Sequence, residues 1–479
     1  MSIEEAEQQQ ALGLVFSHFV DGNPVVRPVK DAVAPIMLPS SCGNKAGPLW
    51  RPHNKMSNAP SILTSLPGPK AQRLIDDDLG ATSPSLIKEY PLAVKQAKGM
   101  MIEDQDGNIF LDFMAGIAVT GTGHCHPQVV KAIQDQSKKL LHICGTDFYY
   151  TGYSDLCKKL QELAPGNDPW KVFLSNSGAE SIDGAIKLAR YHTKRNNIIA
   201  FHGAFHGRTY GALSLTSSKS VQRDGFGPFL PGIHHVPYGA STDTIRDHLK
   251  EKRVHPQTIA AVFVEPIQGE GGYIVPPEEF LEQVRSFCDE FGIIMVDDEI
   301  QSGNGRTGKY FAIENWGVVP DIITLAKGLG SGMPIGAIIA KESAMTWPPG
   351  SHGSTFGGNP VSCAASLATI DLIEAGLMKN AEIMGEYLLN RLSELRKKHN
   401  IISDVRGIGL MQAIEFSVNN ELSPDLSHLF EQSCFKKGLL VLSCGESAIR
   451  LAPPLIVDET HIDIAMDIMG QVLEEMNIG

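Results

Sequence analysis

The amino-acid sequence predicts an α/β protein: a mainly parallel sheet with helices on both faces, followed by a smaller α+β unit. Three observations carry this expectation. Short β-rich runs alternate with amphipathic helical stretches through the middle of the chain. Helices dominate after about residue 360. The length, 479 residues, is too great for one ordinary core, and 42% hydrophobic with 20% charged residues is a globular composition.

Taken in order, residues 1–61 read as an extension. Nine of the 29 prolines lie between Pro24 and Pro69, with scattered Gly, Ser and Asn and little periodicity, so this segment is expected to wrap over the surface or to be partly disordered. From "IEDQDGNIFLDF" onward the pattern is globular, and Asp106-Gly107 marks a hairpin turn between strand-like flanks. "WKVFLSN" is a short strand and "GAESIDGAIKLARYHTKR" carries apolar residues at helical spacing. "NIIAFHG", "IAAVFVEP", "GIIMVDD" and "DIITLAK" are further strands, and "PEEFLEQVRSFCDEFG" is an amphipathic helix ending at Gly292. "CAASLATIDLIEAG" and "MGEYLLNRLSELRKKH" are helices of the closing region.

Several function classes are disfavoured. The balance of 41 basic against 54 acidic residues gives −13 with no run of Lys and Arg, which does not suit nucleic-acid binding. The eight cysteines form no CxxC pair, which fits a reduced compartment. "MSIEEAEQQQ" is acidic, unlike a signal or transit peptide, and no apolar run approaches the roughly 18 residues of a membrane span. A soluble, cytoplasmic protein without membrane partners is the expectation.

In open α/β sheets ligands gather at the carboxyl ends of the strands. Three strand ends carry chemistry. Ser177, Gly178 and Ala179 follow "VFLSN" at the start of a helix, where backbone N–H groups favour a phosphate, although an ordinary Ser/Gly cap has the same appearance. Lys327 ends "DIITLAK"; a desolvated lysine has a lowered pKa and a nucleophilic amine. Asp298 ends "GIIMVDD", where a buried carboxylate needs a cation or donors. Individually each is weak. Together they describe a site for pyridoxal 5'-phosphate, which needs an amine for its aldehyde, an acid for its ring nitrogen and a cup for its phosphate. Asp297 and Glu299, on either side of Asp298, are expected to point the other way into polar contacts.

Gly303, Gly305 and Gly308 have the spacing of a dinucleotide fingerprint, but lie past the strand without a βαβ continuation, so residues 302–309 read as a tight loop. "GHCHP" at 123–127 and the His202/His206 pair bring no third and fourth ligand at familiar spacing, so no metal site is expected.

At this point the residues support a resemblance. "LDFMAGIAVTGTGHCHPQVV", "SNSGAES", "FHGRT", "EPIQGEGG", "DDEIQSGNGRTG", "PDIITLAKGLGSGMPIGA", "STFGGNP" and "IRLAPPL" resemble, in order, the blocks of class III pyridoxal-phosphate aminotransferases, the group of 4-aminobutyrate, acetylornithine and ornithine aminotransferases. The likeness runs from about Asp112 to about Leu455. It implies a fold-type-I architecture with a small-domain part at 62–121, a large cofactor-binding domain at 122–378 and a second small-domain part at 379–479, working as a homodimer or larger assembly. It implies that Lys327 is the Schiff-base lysine and Asp298 the pyridinium partner. Gln301 lies near the cofactor's phenolic oxygen, Phe205 and Ile300 flank its ring, and His206 belongs to the same cofactor block. Ser177, Gly178 and Ala179 hold its phosphate, with Thr355 added from a neighbouring subunit. Arg208, Glu270 and Arg450 match substrate-recognition positions. Ala179, Asn304 and the "DEIQS" block depart from commoner family residues around the pocket.

The implied activity is transfer of an amino group from an ω-amino acid, 4-aminobutyrate first, to 2-oxoglutarate. Acetylornithine or ornithine as donor, and racemisation of an amino acid by the same lysine and acid, are the alternatives.

Overall fold

The computed structural model describes residues 59–476, together with two short strands nearer the N-terminus. Residues 1–51 form one unit, whose described part is an antiparallel pair, Phe19–Val20 with Asn23–Pro24. The expectation for the extension at 1–61 otherwise falls outside the described residues, except at its end, where Ser61 bridges to Ile109.

Residues 52–479 form the second unit. After a helix, Pro69–Ala81, come strands β1 (Val94–Lys98), β2 (Met101–Asp104) and β3 (Ile109–Asp112). The turn between β2 and β3 is the Asp106-Gly107 hairpin, and Gly107 has φ +91°, a conformation that a Cβ disfavours. Asp104 accepts from the N–H groups of Asp106 and Asn108 at 2.9 and 2.8 Å, which closes this turn.

Helix α1 (Pro127–Ser137) precedes the large sheet. Then come β4 (Trp170–Ser175), α2 (Gly178–Thr193), β5 (Asn197–Phe201), β6 (Ile233–Val236), β7 (Ile259–Val264), α3 (Phe280–Phe291), β8 (Ile294–Asp298), β9 (Ile322–Leu325) and β10 (Gly336–Lys341). The seven strands lie in the order β4-β10-β9-β8-β7-β5-β6. All neighbours are parallel except β10, which runs antiparallel to β9 and β4. Helix α3 ends at Gly292, as its sequence predicts. Two strands, β6 ("IHHV") and β10 ("GAIIAK"), are absent from the sequence expectation. The first is short and half polar, and the second is an apolar run too short to distinguish from a buried helical piece.

β7 and β8 are buried along their whole length, the pattern of strands covered on both faces. Order along the sheet brings the ends of β8 and β9 side by side, with Asp298 opposite Thr324.

Helices α4 (Pro360–Leu372) and α5 (Met378–Lys398) are joined through a π-helical segment, Ile373–Leu377. This stretch is by length and composition apolar enough to cross a membrane, which corrects the expectation that no run approaches that size. Counting uninterrupted apolar residues misses it, because Asp371 and Glu374 break the run. Half of the window is buried, and α4 packs on α1 with Val361, Cys363, Ala365 and Ile370 in the interior, the pattern of a core helix.

Strands β11 (Ile402–Ile408), β12 (Met411–Val418), β13 (Glu421–Leu422), β14 (Leu439–Leu440), β15 (Leu442–Cys444) and β16 (Ala448–Leu451) follow, and a helix, Glu459–Met476, closes the described chain. β11-β12-β16-β15 form an antiparallel sheet with β13 paired to β12. β14 instead runs parallel to β3, so segments from both sides of the large sheet share one four-stranded sheet.

Candidate active site

The carboxyl ends of β4, β8 and β9 converge on a cavity of about 450 Å³, within the usual range for small-molecule sites. Asp298 closes β8 and is 3% exposed. Its Oδ1 accepts from Ile300 N at 3.1 Å and Thr324 Oγ1 at 3.3 Å, and its Oδ2 lies 2.7 Å from His206 Nδ1. Burial works against a charged His206, but Asp298 outweighs it and holds the imidazole's pKa above its ordinary value. His206 therefore acts on Asp298, and its Nε2 is buried without a hydrogen-bond partner among the described residues.

Lys327 follows β9 with φ +41°. Left-handed backbone at a non-glycine residue is strained by on the order of 1 kcal/mol and turns the side chain into the cavity rather than along the strand. Burial, and then the nearby Arg450 guanidinium, lower its amine to about 8. A lysine so placed has a far larger neutral, nucleophilic fraction near neutral pH than an ordinary solvated one.

Ser177, Gly178 and Ala179 open α2 and line the cavity. Ser177 Oγ accepts from Glu180 N at 3.2 Å, so the cap reading of its side chain holds, while the first N–H groups of a 16-residue helix still favour an anion. A Cβ on Gly178 would stand 2.8 Å from Ile300 Cδ1, so a side chain here would push out the residue that faces the cavity. Phe205, Arg208, Ile300 and Gln301 line the same space. Gln301 Oε1 is buried without a partner among the described residues, a polar atom that a ligand can satisfy.

Glu265, just past β7, was not singled out from the sequence. Its oxygens accept from Gly269 N at 3.0 Å and Phe205 N at 3.1 Å, which ties the Phe205 loop to the sheet, and burial pushes its carboxyl up to about 7. Its signal was legible, since it is a third acid at a strand end.

Glu270 and Arg450 do not line the cavity; they meet at the seam between the seven-stranded and the five-stranded sheet. Arg450 sits on β16, 4% exposed, with Nη1 at 2.9 Å from Glu270 Oε2. The other Glu270 oxygen is 3.2 Å from Lys219 Nζ, a contact that sequence reasoning missed. Burial raises the Glu270 carboxyl, but Arg450 and Lys219 outweigh it and hold it below its ordinary value. Thr355 is exposed and lies outside this chain's cavity.

Asp297 departs from expectation. Its carboxyl is fully buried and neither oxygen has a donor among the described residues. Burial and the adjacent Glu299 raise its pKa well above its ordinary value. Glu299 does make the expected polar contacts, with Ser302 Oγ at 2.6 Å and Ile313 N at 2.8 Å. The glycine-spaced segment is a turn-rich loop; its Arg306 is buried and donates to the carbonyls of Leu410 and Pro453. The suspected histidines are used singly: His124 pairs with Asp112 at 2.6 Å and His202 packs on the His235 ring. One triad close enough for a cation, Glu89, His428 and Glu431, occurs among the described residues and does not line the cavity.

The aminotransferase class-III family model matches residues 84–473. The chain belongs to this family. Among class-III relatives, acetylornithine aminotransferase of Caldanaerobacter subterraneus is 41% identical over 394 residues, covering 81% of this chain and 96% of its own. 4-Aminobutyrate aminotransferase of Mycobacterium tuberculosis is 36% identical over 440 residues, covering 87% and 98%. The structure of Toxoplasma gondii ornithine aminotransferase with partial occupancy of PLP superposes with a TM-score of 0.77 at 30% identity, covering 85% of this chain and 95% of that one. The protein is thus a PLP-dependent class-III aminotransferase of fold type I. The residues present suit that cofactor: the helix N-terminus for its phosphate, Asp298 for its ring nitrogen, the unpartnered Gln301 Oε1 and the amine of Lys327.

Proposed function

We propose that this aminotransferase moves an amino group from an ω-amino acid, with 4-aminobutyrate as the leading donor, to 2-oxoglutarate. The observation that carries the reading is the buried Glu270–Arg450 ion pair at 2.9 Å. A donor whose amine-bearing carbon has no carboxylate leaves Arg450 without a substrate partner, and an uncompensated buried guanidinium is costly. Glu270 compensates it. A glutamate or 2-oxoglutarate α-carboxylate competes for the same guanidinium, while Arg208 is free to grip the distal carboxylate.

When bound, the cofactor supplies the carbonyl that takes up the amino group and the ring that draws electrons from the substrate. Lys327, with its lowered pKa, would move a proton to and from the substrate carbon, and Asp298, clamped by His206 and Ile300 N, would hold the ring nitrogen. N-acetylornithine or ornithine as donor is the second reading, favoured by the 41% identity to acetylornithine aminotransferase.

Exposed Leu141, Phe148, Tyr149 and Phe356 beside Thr355 support a homodimer in which Thr355 completes the partner's site. A cytoplasmic location accords with seven free cysteines among the described residues. A screen of 4-aminobutyrate, N-acetylornithine, ornithine and longer ω-amines with 2-oxoglutarate tests the function, with glutamate as the readout and chiral analysis of α-amino acids alongside. Interconversion of enantiomers without glutamate formation from any ω-amine would make the protein a racemase.

A further inference from the structure

Glu270 bridges two cations drawn from different parts of the unit. Arg450 comes from the antiparallel sheet and Lys219 from the residue before the 3₁₀ turn Ser220–Gln222, while the Glu270 carbonyl accepts from Gly445 N at 2.8 Å. The side chains grade from dry to wet: Arg450 is 5% exposed, Glu270 17% and Lys219 40%. Arg450 Nε is buried and has no partner among the described residues, so this guanidinium retains a donor for a further oxygen.

We propose that Lys219 is a positioning residue for substrate exchange: it receives the Glu270 carboxylate when a substrate α-carboxylate takes Arg450. The proposal rests on the reading of Arg450 as the α-carboxylate site. Two cations and one anion leave the cluster with one net positive charge. An arriving carboxylate balances it, so no charge needs to leave. Without Lys219 the displaced Glu270 would hold a poorly solvated charge beside the arriving one, and like charges in a partly dry site repel strongly. With Lys219 in contact already, Glu270 gives up one ion pair while keeping the other, and only a tilt of its carboxylate is needed. A lysine suits this role because its ammonium is a point charge on a flexible four-carbon stem that can follow the acid.

Equilibrium binding of glutarate and of butyrate to the holoenzyme, read from the cofactor absorbance, tests the proposal without turnover. Glutarate has a second carboxylate that must compete with Glu270, and butyrate has none. In Lys219→Met the Kd for glutarate should rise about fivefold, the size of a partly exposed ion pair, with butyrate changed far less, and Lys219→Arg should restore most of the loss. In a Glu270→Gln background, Lys219→Met should have no further effect, because no displaced charge needs a partner. Equal weakening of both ligands, or the same loss in the Glu270→Gln background, would overturn the proposal, since Lys219 would then act on the fold or on the ligand directly. If Glu270→Gln fails to tighten glutarate, Arg450 is not the α-carboxylate site, and that reading falls together with the proposal.

Discussion

Asp298 and Glu270 are both acids that pair with a basic side chain, and they are fixed by different means. Asp298 ends a central strand of the seven-stranded sheet, and its oxygens are met by a backbone N–H, a hydroxyl and an imidazole at 2.7–3.3 Å. Glu270 lies in a loop, and its side chain is held by two long cationic side chains from two different places. A carboxylate in a shell of short, fixed donors has one position. One held by ion pairs to flexible groups can exchange partners at small cost. On the proposed reading, the part that does the same chemistry on every substrate is built on the rigid sheet, and the part that distinguishes substrates is built across the seam.

The largest effect expected on the rigid side is from Lys327→Ala. Loss of the proton-moving amine should lower turnover by at least about 10³-fold, and borohydride-reduced protein analysed by mass spectrometry should no longer contain trapped cofactor. Trapping on another lysine would reject the assignment. Asp298→Asn should keep cofactor bound but reduce turnover by about 10²–10³-fold, since an amide cannot hold the ring nitrogen protonated. Near-normal turnover would remove the distinction between the two acids.

On the exchangeable side, Glu270→Ser should slow the ω-amine half-reaction roughly tenfold more than the glutamate half-reaction, as the buried Arg450 charge is exposed only when no α-carboxylate is present. Single-turnover absorbance measures both, and equal losses would place Glu270 with Asp298 as a fixed group. A third region is sharpened by mixing inactive Lys327→Ala protein with an inactive Thr355→Val variant. Recovered activity after subunit exchange would assign Thr355 to the partner's site; none, despite demonstrated exchange, would count against it.

The smallest effect concerns stability. The Lys327 amine is lowered in the folded chain from its ordinary 10.5 to about 8. Below pH 8 both states carry the proton and folding bears the full desolvation penalty. Between about 8 and 10.5 only the unfolded state binds it, so stability rises with pH, and above 10.5 the penalty is gone. Lys327→Met apoprotein should therefore unfold at a higher temperature than the wild-type apoprotein at pH 7, with the gap narrowing as the pH rises toward 10.5. A constant gap would mean that the gain comes from packing alone.

Much of the rigid half was legible in the order of residues. Strand ends are marked by apolar runs that stop, and Lys327, Asp298 and the Ser177–Ala179 turn each stop one, so local pattern placed them on one edge of a sheet. That Asp298 meets His206 while Asp297 is buried beside Glu299 with no donor among the described residues was not legible. Alternation tells which way a side chain points, and only packing tells what it meets there. The exchangeable half was legible in its members but not in its wiring. Glu270 and Arg450 stand 180 residues apart, and Lys219 sits in an unremarkable polar turn. Their union depends on how a loop after β7 and a strand of a separate sheet pack together. Local sequence determines which elements form and what they end in; contacts between elements distant in the chain arise from the three-dimensional burial of their surfaces, and that the tertiary structure alone decided.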